Sequence, residues 1–231
     1  MELHGLNKLT LLDFPEHLAC TVFTGRCNLR CPFCHNAGLV LAPEWEPVLD
    51  TEEVFRFLEK RKNTLEGICV TGGEPTLQED LLPFLHRCKE LGYQVKLDTN
   101  GTRPDVLLAV LREHLADYIA MDIKNCPARY AETAGLSSVR LSALEESISL
   151  IRGSGLPYEF RTTVVREFHT KQDLLAIGEW LNGSARYAIQ AFLDSGNLIK
   201  SGLSGYPAEE LQAFRTLLLP YFGEVLLRGA D

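Results

Sequence analysis

Residues Thr24 to Asn36 read TGRCNLRCPFCHN and place three cysteines at 27, 31 and 34. A structural zinc site closes a tetrahedron with four thiolate or imidazole ligands. His35 directly follows Cys34 and can hardly turn into the same tetrahedron. Cys20, Cys69, Cys88 and Cys126 stand singly in strand-like, helical or loop stretches, where a cysteine is ordinarily a small buried hydrophobe. An iron–sulfur cluster is held by cysteine thiolates, normally four. Three thiolates would anchor three irons of a cubane and leave the fourth iron open to a substrate or cofactor. The triplet points to a reactive centre, with a zinc site or a non-enzymatic metal-binding role as the alternative.

Other polar groups that could serve such a centre end apolar runs. TGGEP (71–75), DTNG (98–101) and DIK (122–124) close three consecutive strand-like stretches. The full set of such stretches is 18–24, 67–71, 93–99, 117–123, 158–165 and 186–192, each short and rich in Val, Ile, Thr and aromatic residues. Helical patterns lie between them. Asp50 with Glu53, and Ser142 with Glu145, read as capping boxes, and Pro207 suits the first turn of a helix ending before Pro220. The cluster Glu59 to Lys62 reads as a solvated helix face. Six strands alternating with helices predict an α/β fold of parallel βα units, a partial (β/α)6 TIM-like barrel, with a doubly wound sheet as the alternative. Three polar strand endings on one rim favour the barrel, whose sites are built there. The 231 residues are read as a single domain, with a core over about 18–193 and a C-terminal extension over 194–231.

Composition narrows the partners. The hydrophobic fraction of 45% suits a globular protein, and 23 basic against 31 acidic residues argue against nucleic acid. No apolar run reaches the length of a membrane helix and no signal sequence opens the chain, so no membrane association and a cytoplasmic location are expected. There the seven cysteines would stay reduced.

The triplet Cys-x₃-Cys-x₂-Cys, with Phe33 before its last cysteine, resembles the signature of the radical S-adenosylmethionine (SAM) superfamily, and GGEP resembles the motif at that family's second strand. GLNKLTLLDFPEHLACTVFTGRCNLRCPFCHN, TGGEPTLQ, LDTNG, MDIK and YEFRTTVV together resemble the activating enzymes of glycyl radical enzymes, above all the anaerobic ribonucleoside-triphosphate reductase activating group. The similarity spans about Gly5 to Phe192. It implies a radical SAM core, one 4Fe–4S cluster and SAM, cleaved reductively to methionine and a 5′-deoxyadenosyl radical. It further implies hydrogen abstraction from a backbone glycine of a partner glycyl radical enzyme, the anaerobic ribonucleotide reductase, with a flavodoxin or ferredoxin as electron donor. A small-molecule enzyme similar to 7-carboxy-7-deazaguanine synthase is the second reading.

Carried onto this chain, the resemblance makes Cys27, Cys31 and Cys34 the cluster ligands and places Phe33 beside them. Gly72, Gly73 and Glu74 would hold the SAM amino group. Asp98, Thr99 and Asn100 match the family's DTNG motif, and Asp122 with Lys124 its aspartate-x-lysine pair; in related activases the acids of these motifs lie by the SAM head, some holding a monovalent cation. Arg161 and Gln190 would contact SAM or substrate. Plainer readings stand beside these: Asp122 and Lys124 as an ion pair, Arg161 as a buried structural cation, and His4, His17, His86, His114 and His169 as surface or packing residues. One departure is Arg26, which stands where the family usually has glycine before the first cysteine. The 32 cysteine-free residues between Cys34 and Gly67 predict a single cluster. The loops 125–142 and 194–207 exceed the usual ~2–6 residues of a βα connection and are the candidate partner-recognition segments, or else flexible connectors.

Overall fold

Alternating short apolar runs and amphipathic segments build the chain. The computed structural model describes residues 1–230. Its strands are β1 (Leu3–Thr10), β2 (Ala19–Thr24), β3 (Gly67–Gly72), β4 (Gln94–Thr99), β5 (Tyr118–Asp122), β6 (Tyr158–Val164), β7 (Ser184–Ala191) and β8 (Phe222–Arg228). The helices are α1 (Ala37–Leu41), α2 (Thr51–Arg61), α3 (Leu81–Glu90), α4 (Pro104–Arg112), α5 (Tyr130–Thr133), α6 (Leu141–Gly153), α7 (Lys171–Trp180) and α8 (Ala208–Leu218). The eight strands follow one another in sequence order in one sheet. The six expected strands are β2 to β7, in the α/β alternation of a partial (β/α)6 barrel. β1 and β8 are additional. β1 pairs antiparallel with β2, and β8 pairs parallel with β7.

Two compact units divide the chain. The first comprises 1–28, 38–120 and 143–157. In it β2, β3 and β4 pair in parallel, with Thr24 level with Gly72 and Val70 level with Leu97. A sheet covered on both faces needs continuous apolar strands, and β3 supplies them: Ile68, Cys69 and Val70 are all buried. Phe14, Ala19, Tyr118 and Ala120 form a buried cluster there. Burying a side chain the size of Phe14 contributes about 1.5–3 kcal/mol. Asp50 caps α2 by accepting from the Glu52 N–H at 3.0 Å, one residue short of the expected box with Glu53. Helix α6 begins at Leu141, so Ser142 lies inside it rather than at its cap.

The second unit comprises 29–37, 121–142 and 158–231. Here β6, β7 and β8 pair in parallel, and α7 opens on a capping box between Thr170 and Asp173. Phe160, Val164, Tyr187, Ile189 and Val225 are its buried apolar side chains. Pro207 is the N-cap of α8. None of the described helices is long and apolar enough to cross a membrane.

Candidate radical SAM site

In the first unit the site begins where β2 ends. After Thr24 the chain turns through Gly25 and Arg26 into Cys27, and Arg26 adopts φ +63°, the left-handed region. A non-glycine residue there costs roughly 1–2 kcal/mol. The glycine usual in the family at this place thus has a conformational reason, and Arg26 holds the same backbone despite its side chain. Its Nε pairs with Glu2 at 2.8 Å, its N–H donates to the Leu39 carbonyl, and its own carbonyl accepts from the Glu74 N–H at 2.8 Å.

The two glycines at the end of β3 are accounted for by that loop. Gly72 has φ +116°, and a Cβ there would lie 2.3 Å from the Thr24 nitrogen. A Cβ on Gly73 would lie 1.9 Å from the Arg26 carbonyl oxygen. Both side chains are forbidden by backbone that cannot move aside cheaply. The Gly-Gly pair therefore lets the turn after β3 press flat against the approach to Cys27.

Glu74 is buried, and its carboxylate serves the protein. Oε1 accepts from the Thr76 N–H at 3.1 Å, the Thr76 hydroxyl at 2.5 Å and the Thr99 hydroxyl at 2.8 Å, while Oε2 accepts from the Asn100 N–H at 2.6 Å. Burial raises its pKa, and these donors only partly offset the shift. Glu74 thus clamps the end of β3 to the end of β4. Asp98 is buried as well and is paired with Lys96 at 2.5 Å, whose Nζ also reaches the Cys69 sulfur at 3.6 Å. Asn100 donates from Nδ2 to the Cys27 sulfur at 3.8 Å and to Asn28 Oδ1 at 2.9 Å. Its Oδ1 accepts from the N–H and hydroxyl of Thr102. Of the DTNG motif, the asparagine is the residue beside the first cysteine.

In the second unit Cys31 and Cys34 share one turn, closed by the Cys34 N–H donating to the Cys31 carbonyl at 3.0 Å. Phe33 is buried with its ring centroid 5.8 Å from Phe168 and 6.1 Å from His169. Further clasps hold this turn: Arg30 N–H to the Ala134 carbonyl, Lys200 N–H to the Pro32 carbonyl, and His35 Nε2–H to the Leu193 carbonyl at 2.8 Å. Asp122 pairs with Arg161 at 2.5 Å and with Lys124 at 3.0 Å. Burial alone would raise its pKa, but the two cations hold the Asp122 carboxyl below the usual carboxylate range. The ion-pair reading and the site reading of these residues therefore meet in one three-membered network. Gln190, half-buried on β7, accepts at Oε1 from the Thr163 hydroxyl at 3.4 Å.

His169 is among the functional candidates that sequence reasoning passed over. It is fully buried, its Nδ1 accepts from the Val165 N–H, and its Nε2–H donates to the Lys124 carbonyl at 2.8 Å. Burial lowers its pKa, which favours the neutral ring, and the Val165 N–H at Nδ1 with the Lys124 carbonyl at Nε2 sets the N–H on Nε2. It thereby fixes both Phe33 and the backbone of Lys124. Glu2, Gln78 and Lys96 were passed over too. Gln78 lies within TGGEPTLQ, and its Nε2 donates to the Gly25 carbonyl while its Oε1 accepts from the Glu2 N–H.

Among the described residues no group of three His, Cys, Asp or Glu side chains stands ready to hold a metal ion. The donor chemistry of the Cys31–Cys34 turn nevertheless suits iron. Burial pushes the Cys31 thiol up to about 11 and raises that of Cys34, while Lys124 pulls both the other way. Iron would supply the positive charge that burial withholds from a thiolate.

The family model of the radical SAM superfamily matches residues 21–181. A protein of Methanocaldococcus jannaschii, provisionally named glycyl-radical enzyme activating enzyme MJ1227, is 32% identical over 193 residues, covering 81% of this chain and 78% of that one. A provisionally named GTP 3′,8-cyclase of Thermococcus kodakarensis is 28% identical over 147 residues, covering 62% of this chain and 46% of that protein. The 7-carboxy-7-deazaguanine synthase of Koribacter versatilis is 32% identical over 145 residues, covering 61% and 59%. In fold, the chain is similar to Streptococcus suis SuiB, at TM-score 0.68 and 15% identity over 89% of this chain and 47% of that one, so it spans about half the length of that structure. With the triplet, the GGEP turn and the strand order in agreement, the chain belongs to the radical SAM superfamily.

Proposed function

We propose that this radical SAM enzyme is an activase that abstracts one hydrogen from a backbone glycine of a glycyl radical enzyme, with anaerobic ribonucleoside-triphosphate reductase as the expected partner. One observation carries the reading: the relative named for this activity is matched over 78% of its length, whereas the two relatives named for small-molecule chemistry are matched over 46% and 59% of theirs. Family membership implies a 4Fe–4S cluster and SAM. When bound, the cluster supplies the electron that cleaves SAM and so generates the hydrogen-abstracting species.

The chain's own residues then divide the work. Cys27, Cys31 and Cys34 ligate the cluster. Gly72, Gly73 and Glu74 shape the turn that receives the SAM amino group, with Asp98, Thr99 and Asn100 beside it. Asp122, joined to Lys124 and Arg161, takes the head of SAM or a monovalent cation beside its carboxylate, and Phe33 shields the cluster from water. Gln190 faces the substrate. A flavodoxin or ferredoxin delivers the electron.

The test mixes anaerobically reconstituted, reduced protein with SAM and candidate glycyl radical enzymes. A glycyl radical doublet in the electron paramagnetic resonance spectrum identifies the partner. SAM consumption without that doublet, accompanied by a product from GTP or from the substrate of 7-carboxy-7-deazaguanine synthase, would replace the activase by the small-molecule reading.

A further inference from the structure

Strands β6, β7 and β8 have two unlike faces. One is apolar and buried, carrying Phe160, Tyr187, Ile189 and Val225. On the opposite face, Thr163 is level with Gln190 and Gln190 with Arg228, so three polar side chains form one row across the C-terminal ends of the three strands. All three are half-buried. The Thr163 hydroxyl donates to Gln190 Oε1, and among the described residues no protein group accepts from Gln190 Nε2.

The charges on this face are already matched. Arg228 makes two bonds of 2.7 Å to the fully buried Glu159, Arg186 pairs with Glu224 at 2.7 Å, and Arg161 pairs with Asp122. Lys124 shares Asp122 with Arg161, at 3.0 Å. A triphosphate or carboxylate substrate is gripped by uncommitted guanidinium or ammonium groups. Drawing Arg228 to such an anion would take two charge-assisted bonds from the buried Glu159, which is unfavourable.

We propose that the Thr163–Gln190 pair, in the row closed by Arg228, reads a neutral peptide unit of the substrate. This rests on the activase reading and deepens it by assigning specificity-determining residues. A carboxamide carries the same donor and acceptor as a peptide bond. With its oxygen held by Thr163, Gln190 presents Nε2–H to a backbone carbonyl. A face whose charges are already matched and which offers an oriented amide is suited to a glycine-bearing loop and poorly suited to a nucleotide.

The experiment is saturation-transfer NMR on the full chain, reconstituted anaerobically with cluster and SAM but without reductant. The probes are N-acetylglycylglycinamide and, separately, GTP. Wild type should transfer saturation to the glycine methylene protons. Gln190→Leu should weaken binding about fivefold, the value of one neutral hydrogen bond, and Thr163→Val should weaken it less; unchanged thermal melts would show that both variants fold. Equal binding of the capped peptide by wild type and Gln190→Leu would overturn the assignment of the row, while the activase reading would still stand on a glycyl radical doublet. Displacement of the peptide by GTP, or GTP binding where the peptide does not bind, would overturn both.

Discussion

The carbonyl oxygen of Arg26 lies 1.9 Å from the point a Cβ on Gly73 would occupy, so the turn after β3 and the approach to Cys27 are one packed unit of backbone. Gly73→Ala must push that loop away or distort the turn. The expected cost is about 1–3 kcal/mol, as for other forced overpacking, read by urea denaturation. Because the displaced segment leads into Cys27, the variant should also hold less iron after reconstitution. A variant with full iron content and parental stability would show that the loop yields freely.

Arg26 itself separates backbone from side chain. At φ +63° a glycine carries no steric penalty, but it adds freedom to the unfolded chain and loses the Glu2 pair. These effects oppose one another, so Arg26→Gly should lie within about 1 kcal/mol of the parent. Arg26→Val removes the same ion pair and adds a β-branched carbon where it fits worst. It should be less stable than Arg26→Gly by roughly 1–2 kcal/mol. Equal stabilities in thermal unfolding would show that the left-handed conformation is not maintained in solution.

The legibility of this fold follows from where its signals lie. Strands β2 to β7 were readable because parallel strands buried on both faces are unbroken apolar runs, such as GICVT into Gly72. β1 was missed because LHGLNKLT mixes apolar and polar residues, with Asn7, Lys8 and Leu9 exposed on a strand whose one partner in the sheet is β2. β8 follows α8 after a turn of only a few residues, and in FGEVLLR the buried Phe222 is followed by exposed Gly223 and Glu224. At the site, the residue types were legible and their partners were not. Glu74 read as a ligand-holding acid because nothing in GGEP shows that Thr76, Thr99 and Asn100 will converge on it. His169 carries no motif and acts through a carbonyl 45 residues away, a relation only folding creates.

Asp122 sets a pH dependence whose sign can be worked out. Burial would raise its pKa, yet Arg161 and Lys124 hold it below the unfolded value, so the folded state releases its proton more readily. Its contribution is therefore full above about pH 4 and is lost as pH falls below that range. Asp122→Asn leaves two cations without their carboxylate. The expected loss at pH 7 is about 3 kcal/mol, the lower end for breaking a buried pair, since Asp122 is partly exposed. The gap between variant and parent should narrow at pH 3. A gap of the same size at both values, in matched urea titrations, would remove the ion network as the source of stability.

Cluster loading should depend on pH for the opposite reason. Burial pushes the Cys31 thiol up to about 11 and raises that of Cys34, so near neutral pH both carry protons that iron must expel. Metal affinity then rises with pH, because each thiolate formed releases a proton to a less acidic medium. Reconstitution at pH 8.5 should reach about four irons per chain at lower free iron than reconstitution at pH 6.5, measured by competition with a chromogenic chelator. Cys31→Ala should lose that uptake together with SAM cleavage, whereas Cys69→Ala, which removes a thiol beside Lys96, should keep the four irons. SAM cleavage retained by Cys31→Ala, or one zinc per chain in place of iron, would contradict a cubane held by Cys27, Cys31 and Cys34.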